Sequence, residues 1–295
     1  MIYLKICKKI ISVILILTLC AGLFSAAAFA ESDKLNYLVL GDSIAEGFGI
    51  KNPDEACYGK IVANTNDYNY KNLGVMGRNS EYLYKYLSEN EEYISSVEWA
   101  DVISVSIGGN DFLLNNAALL LAQGIIFKNY SKFDKIGEAF YLNFSKCMDR
   151  IHELNPDAVI LIQTLYTSWT ADYAKTPYAQ AAKRINDAIA KYCDEKSENI
   201  YIVDTRETFD NRTDLISSDT IHPNAKGNVE IARLVLAKLY EIGLGQNTEP
   251  LVLTEGIDRD YLNEYFGFPL GQIITFLANL FTGNLFHSII NSVNV

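Results

Sequence analysis

Two side chains far apart in the chain carry the types needed for nucleophilic chemistry. Ser43 stands in Gly41-Asp42-Ser43, directly after the apolar run Tyr37-Leu38-Val39-Leu40, and His222 stands in Asp219-Thr220-Ile221-His222-Pro223. A serine hydroxyl is a weak nucleophile until a neighbouring base accepts its proton, and an imidazole is suited to that task near neutral pH. A carboxylate that holds the other ring nitrogen, as Asp219 could from three residues away, stabilises the imidazolium that forms. The chain has three histidines. His152 lies in the helically spaced stretch Ile151-His152-Glu153-Leu154 and His287 lies in an uncharged tail, which leaves His222 as the base. Two turn-like clusters fall between: Gly74-Val75-Met76-Gly77 and Gly108-Gly109-Asn110-Asp111. Each of these residues also has a purely structural reading. Ser43 could cap a helix, Asn110 and Asp111 could form a turn pair, and His222 could be a loop residue. Asp42 is expected to shape the turn at Ser43 by hydrogen bonding, and Asp111 to be structural.

The elements that must position these side chains follow from the hydropathy pattern. Short apolar strands are predicted at Tyr37–Leu40, Tyr68–Leu73, Val102–Ile107, Ala158–Ile162 and Ile200–Val203. Helical spacing occupies Ser80–Leu87, Ile136–Leu154 and Tyr178–Cys193, with a closing helix over Asn224–Gly243. Alternation of this kind predicts an α/β fold whose parallel sheet is covered on both faces. All strand C-termini then share one rim, where ligands bind in open α/β sheets. Ser43, Gly77 and Asn110 each follow one of the first three strands and are predicted to meet there.

Read in order, Gly41-Asp42-Ser43, Gly74-Val75-Met76-Gly77, Gly108-Gly109-Asn110-Asp111 and Asp219-x-x-His222-Pro223 resemble the four sequence blocks of the SGNH, or GDSL-type, hydrolase family. The resemblance covers roughly Leu35 to Tyr240. Block one ends in isoleucine rather than leucine, which keeps an apolar side chain. The resemblance implies a three-layer, flavodoxin-like fold with a five-stranded parallel sheet and helices on both faces. It implies Ser43 as nucleophile, His222 as base and Asp219 as its partner. It also implies an oxyanion hole from the backbone N–H groups of Ser43 and Gly77 and the side-chain amide of Asn110; Gly74 is the alternative to Gly77. Ser43 is not in a Gly-x-Ser-x-Gly elbow, which argues against the common α/β-hydrolase arrangement. The activity implied is that of a secreted serine esterase acting on acyl esters, lipid or lysophospholipid-like, through an acyl-enzyme. An acetylesterase acting on cell-wall or extracellular carbohydrate competes with it. A non-catalytic lipid- or carbohydrate-binding surface protein is the reading of another class; it requires one of Ser43, Asn110 and His222 to be missing, and none is. No cofactor and no metal are called for, because no cluster has the ligand spacing of a metal site.

Composition bounds the rest. Lys5, Lys8 and Lys9, the apolar stretch Ile10–Leu19 and Ala28-Phe29-Ala30 read as a secretory signal cleaved after Ala30, which places the protein outside the cytoplasm. Removing residues 1–30 takes away three lysines and no acid, so the net charge of −11 becomes −14. A surface this acidic excludes nucleic acid as a partner and argues against electrostatic attachment to anionic lipid. Cys57, Cys147 and Cys193 are an odd, scattered set that allows at most one bridge, and buried free thiols are expected. The hydrolase domain is expected to span 31–245, followed by a C-terminal extension over 246–295. From Phe266 that extension has no charged residue, and its interrupted apolar stripes read as a lid, a peripheral membrane contact or helices packed on the core. A second apolar stretch, Phe112–Phe127, either walls an acyl pocket or forms a helix packed on the sheet.

Overall fold

A computed structural model describes residues 34–256 except 116–119, 121–122, 125–126, 168–176, 197–198, 218 and 220. The predicted signal, the uncharged tail from Phe266 and, within the Phe112–Phe127 stretch, residues 116–119, 121–122 and 125–126 lie outside the described residues. Five strands form one sheet in the order β2-β1-β3-β4-β5, with every neighbouring pair parallel. They are β1 (Asn36–Gly41), β2 (Asn69–Gly74), β3 (Val102–Ser106), β4 (Val159–Gln163) and β5 (Ile200–Val203). The longer helices are α1 (Tyr58–Asn66), α2 (Ser80–Glu89), α3 (Glu91–Trp99), α4 (Ser131–Leu154), α5 (Pro177–Glu195) and α6 (Ala225–Glu241). This is the doubly wound flavodoxin-like order, whose switch point lies between β1 and β3.

The strands are apolar on both faces because both faces are covered. Alternate residues point to opposite sides of a strand. Leu38, Leu40, Ile103, Val105, Ile160 and Ile162 therefore pack with Leu83, Val97, Phe140, Phe144 and Ile185 of α2 to α5. Tyr37, Val39, Val102, Leu161 and Val203 pack on the other side with Ile61 of α1 and Ile231, Val235 and Leu239 of α6. The edge strand β2 departs from the expected apolar run: it begins at Asn69, ends at Gly74, and exposes Asn69 and Lys71. An edge strand is tolerant of such charge and polarity, which discourages pairing with another chain.

At the switch point the two central strands come into close contact. The β1 end pairs Gly41 with Ser106 and with Gly74 of β2. Gly41 has φ +139°, and a β-carbon there would sit 1.9 Å from the Ser106 carbonyl oxygen. Only glycine allows that approach. The Asp42 N–H then donates to the same Ser106 oxygen at 3.0 Å, so the residue before Ser43 is tied to β3.

Two expectations change in detail. Ile107 lies beyond β3, and α4 starts at Ser131 rather than Ile136. The Phe112–Phe127 stretch divides: Phe112 is buried with its ring 5.4 Å from that of Phe133 and Leu120 is buried, whereas Leu114 and Phe127 are 59% and 72% exposed. Cys57, Cys147 and Cys193 are free thiols; the first two are buried and Cys193 is half-buried. Residues 246–256 run along α1: the Gln246 N–H donates to Asn66 Oδ1 at 3.0 Å and the Leu251 N–H to Thr65 Oγ1 at 2.9 Å.

Candidate active site

Ser43 opens a single helical turn, Ser43–Glu46, directly after β1. Asp42 caps that turn, its Oδ1 accepting the Ile44 N–H at 3.0 Å, so the capping role falls to Asp42 and the Ser43 hydroxyl is left free of it. Burial pushes the Asp42 carboxyl up to about 7, against the Ile44 N–H, which lowers it. Ser43 Oγ lies 2.7 Å from His222 Nε2, across 179 residues of sequence.

The opposite ring nitrogen of His222, Nδ1, faces Asp219 Oδ2 at 2.5 Å, and Asp219 Oδ1 accepts the N–H groups of Ile221 (2.9 Å) and His222 (3.0 Å). Asp219 is fully buried. Burial pushes its carboxyl up, but the His222 charge, the ring hydrogen bond and the two backbone N–H donors outweigh that and hold it below the usual carboxylate range. For His222 the balance has the same origin. Burial lowers the imidazole, yet Asp219 at contact distance, with Asp42 and Glu46 nearby, raises it above its ordinary value of 6.5.

The loop that carries this pair is closed on itself. Ile216 and Pro223 form an antiparallel bridge, the Ser217 N–H donates to the His222 carbonyl at 2.8 Å, and Asn224 caps α6 through the Gly227 N–H at 2.9 Å. The Tyr166 hydroxyl after β4 donates to the Ile221 carbonyl at 2.7 Å. Phe48 meets the imidazole edge-to-face at 4.7 Å between centroids. Gly49 packs against the same loop, where a β-carbon would be 2.9 Å from the Pro223 carbonyl oxygen and 3.1 Å from His222 Cβ.

The structure separates the two glycines of the second loop. Gly74 is packed against the nucleophile turn, where a β-carbon would meet the Glu46 nitrogen at 2.5 Å, and its N–H donates to Asn72 Oδ1 at 2.9 Å. Gly77 has φ +77°, with nothing within 4 Å of a β-carbon position, so its surroundings are open. The N–H groups of Ser43 and Gly77 donate to no protein acceptor among the described residues. Asn110 joins them through a bond from Nδ2 to the carbonyl of Arg78, the residue after Gly77, at 2.8 Å. That amide has a second N–H available, since an Asn NH₂ carries two donors. Asp111 is structural: it is buried and accepts both the Ser80 N–H (3.1 Å) and the Ser80 hydroxyl (2.5 Å) at the start of α2.

All five residues singled out in the sequence are thus on the rim at the C-terminal ends of β1, β2 and β3 or on the loop before α6. Glu46, Phe48 and Tyr166 join the site without having been anticipated. A helical reading of Ser43–Glu46 would have placed Glu46 one turn beyond the nucleophile; no pattern marks Phe48 or Tyr166. Among the described residues no group of three His, Cys, Asp or Glu side chains is placed to hold a metal ion, and no helix is long and apolar enough to cross a membrane.

A buried carboxylate, an imidazole and a serine hydroxyl in series on a flavodoxin-like sheet define a serine hydrolase class distinct from the nucleophile-elbow fold. The GDSL-like Lipase/Acylhydrolase family model matches residues 39–229, well over half of the chain, and the protein belongs to that family of serine ester hydrolases. The chain is 25% identical over 258 residues to the uncharacterized protein YpmR of Bacillus subtilis (strain 168), covering 82% of this chain and 98% of that one. Its fold is similar to that of the lipase Lip_vut3 from a goat rumen metagenome, at 21% identity and a TM-score of 0.57, over 72% of this chain and 99% of the other. A Clostridium thermocellum family 3 carbohydrate esterase shares the fold at 18% identity and a TM-score of 0.50, over 72% of this chain and 100% of the other.

Proposed function

We propose that this protein is a secreted serine esterase that hydrolyses acyl esters of lipid or lysophospholipid type. The observation that carries the catalytic part is the 2.7 Å contact between Ser43 Oγ and His222 Nε2, with Asp219 on the far side of the ring. His222 takes the Ser43 proton as Oγ attacks the ester carbonyl, and Asp219 supports the imidazolium. The carbonyl oxygen gains charge and is met by the N–H groups of Ser43 and Gly77 and by the Asn110 amide. The tetrahedral adduct collapses as His222 returns the proton to the departing alcohol. Water, deprotonated by His222, then cleaves the acyl-Ser43 ester and restores the hydroxyl.

Apolar side chains around this centre support an acyl substrate. Phe48 lies against His222, Met76 beside Gly77 is 47% exposed, and Leu114 follows the Asn110 turn. The test is hydrolysis of soluble aryl esters from acetyl to long-chain acyl, with Ser43→Ala as control. Activity that rises with chain length and vanishes in Ser43→Ala is expected; activity confined to acetyl would transfer the assignment to carbohydrate deacetylation. Export rests on the pattern of residues 1–30, and N-terminal sequencing of the exported protein should begin at Glu31. The charge-free segment from Phe266 suits contact with a lipid surface. Truncation there should lower activity on aggregated lipid at least several-fold more than on soluble esters, and equal losses would refute that role.

A further inference from the structure

The second loop is pinned on both sides of Gly77, and the two pins come from different elements. On one side Asn110 holds the Arg78 carbonyl. On the other, Glu46 Oε2 accepts the Met76 N–H at 2.8 Å. Glu46 is the last residue of the helical turn that Ser43 opens, so this bond ties the serine's own element to the Val75–Met76 peptide, one peptide ahead of the one that carries the Gly77 N–H. The seam between the two is tight elsewhere as well. Asn72 Nδ2 donates to the Ala45 carbonyl at 2.9 Å, and Gly74 leaves no room for a β-carbon against Ala45 and Glu46.

Gly77 itself sits in a turn that the Arg78 N–H closes on the Val75 carbonyl at 3.3 Å, a long bond. Met76 is half exposed, Gly77 is exposed, and no atom stands within 4 Å of the Gly77 β-carbon position. A glycine in open surroundings rotates readily about φ and ψ. Donors to an oxyanion contribute to rate only when they are aimed in advance. The peptide linking Met76 to Gly77 is planar, so the direction of its N–H follows from Met76 ψ and Gly77 φ, and holding the Val75–Met76 peptide on one side and the Arg78 carbonyl on the other narrows both. A carboxylate accepting from a backbone N–H is the stronger kind of hydrogen bond available for the purpose.

We propose that Glu46 is a positioning residue for the oxyanion hole: by holding the Met76 N–H from the nucleophile's own helical turn, it fixes the direction of the Gly77 N–H relative to Ser43. The proposal rests on the reading of Ser43 as nucleophile and Gly77 as donor. A rival role for the same side chain is electrostatic support of His222, which it faces together with Asp42 and Asp219. The two roles differ in what they require of residue 46. Positioning needs an acceptor, and electrostatic support needs a charge.

Two substitutions separate them. Glu46→Met keeps the side-chain stem and removes the acceptor; Glu46→Gln keeps an acceptor oxygen and removes the charge. Steady-state kinetics of the full exported chain on a soluble aryl ester, with folding checked by circular dichroism and urea denaturation, provide the readout. Glu46→Met should lower kcat about tenfold with KM within twofold, a fraction of the ~10²–10³ lost when such a donor is deleted outright. Glu46→Gln should stay within about threefold of the parent. A parent-like Glu46→Met would overturn the proposal, as would equal losses in both variants or a loss confined to KM. If Glu46→Met proves too unstable to assay, Glu46→Ala takes its place, with the same loss of about tenfold in kcat expected and a parent-like rate overturning the proposal. Ser43→Ala in the same assay keeps the two levels apart. Activity surviving in Ser43→Ala refutes the nucleophile assignment, whereas an inactive Ser43→Ala beside a parent-like Glu46→Met refutes only the role of Glu46.

Discussion

Replacing Asp219 by Asn is the sharpest test of the site, because the geometry dictates how the new amide must sit. Asp219 Oδ1 accepts two backbone N–H groups and Oδ2 faces His222 Nδ1. An asparagine has one acceptor oxygen. Turning that oxygen to the backbone keeps both bonds and presents the NH₂ group to Nδ1; the reverse sets the NH₂ group against two N–H donors in a fully buried position. Each buried donor left unsatisfied costs about 1–3 kcal/mol, so the first arrangement is favoured by ~2 kcal/mol or more. His222 Nδ1 must then accept, and Nε2 carries the proton and points it at Ser43. In that tautomer the imidazole cannot take the serine proton. With the loss of imidazolium stabilisation added, kcat should fall ~10⁴-fold, about 5.5 kcal/mol at 1.36 kcal/mol per decade. The same substitution has a pH consequence. Activity needs neutral His222, so in the parent kcat/KM falls as pH drops through an imidazole pKa that Asp219, Asp42 and Glu46 together raise above 6.5 against the lowering effect of burial. Removing the Asp219 charge should move the acid limb of the residual activity to lower pH. Stopped-flow and steady-state rates on an aryl acetate across roughly pH 5 to 8, where a histidine changes charge, provide both numbers, with unfolding curves showing that the fold is retained. A kcat within tenfold of the parent, or an acid limb that does not move, would refute the tautomer argument.

Two further substitutions address neighbouring parts of the rim. Asn110→Ala removes a proposed oxyanion donor and also the bond to the Arg78 carbonyl; kcat should fall ~10²–10³-fold with KM little changed, and a loss seen only in KM would assign Asn110 to substrate binding instead. Gly41→Ala forces a β-carbon to 1.9 Å from the Ser106 oxygen at φ +139°, so strands β1 and β3 must separate; urea denaturation should show a loss of about 4 kcal/mol or more, and a loss below about 1 kcal/mol would mean the sheet yields there more easily than its pairing suggests.

How much of this was legible in the sequence depended on whether a residue's environment leaves a local pattern. The buried strands β1, β3 and β4 did, because apolar cover on both faces forces continuous runs of Leu, Ile and Val. The ends of β1 and β3 were legible to within a residue or two through Gly41 and Gly108, where the chain turns with positive φ. The edge strand β2 was displaced because Tyr70 and Leu73 are its only large apolar residues and its ladder, not its side chains, holds it in place. The first turn of α4 was missed for a similar reason: of Ser131–Lys135 only Phe133 faces the core, and one apolar residue in five sets no period. Ser43, Asp219 and His222 were legible because their chemistry limits each position to one or two residue types.

Residues that act through a neighbour's backbone leave no such trace. Tyr166 meets the site through a bond to the Ile221 carbonyl, and Glu46 through its bond to the Met76 N–H and its charge near His222; many side chains could supply such bonds. Their partners were equally silent, since a main-chain carbonyl or N–H belongs to every residue type. The choice between Gly74 and Gly77 shows the same limit from the other direction. Both are glycines of one short stretch, and the family resemblance points to Gly77 with Gly74 as its alternative. What distinguishes them is that Asn72 already occupies the N–H of Gly74 and Ala45 and Glu46 leave no room for a β-carbon there, whereas the N–H of Gly77 is open between the two pins supplied by Glu46 and Asn110. In the proposed mechanism the donor is therefore selected by what its neighbours leave unused, and that is a property of the assembled rim rather than of either glycine.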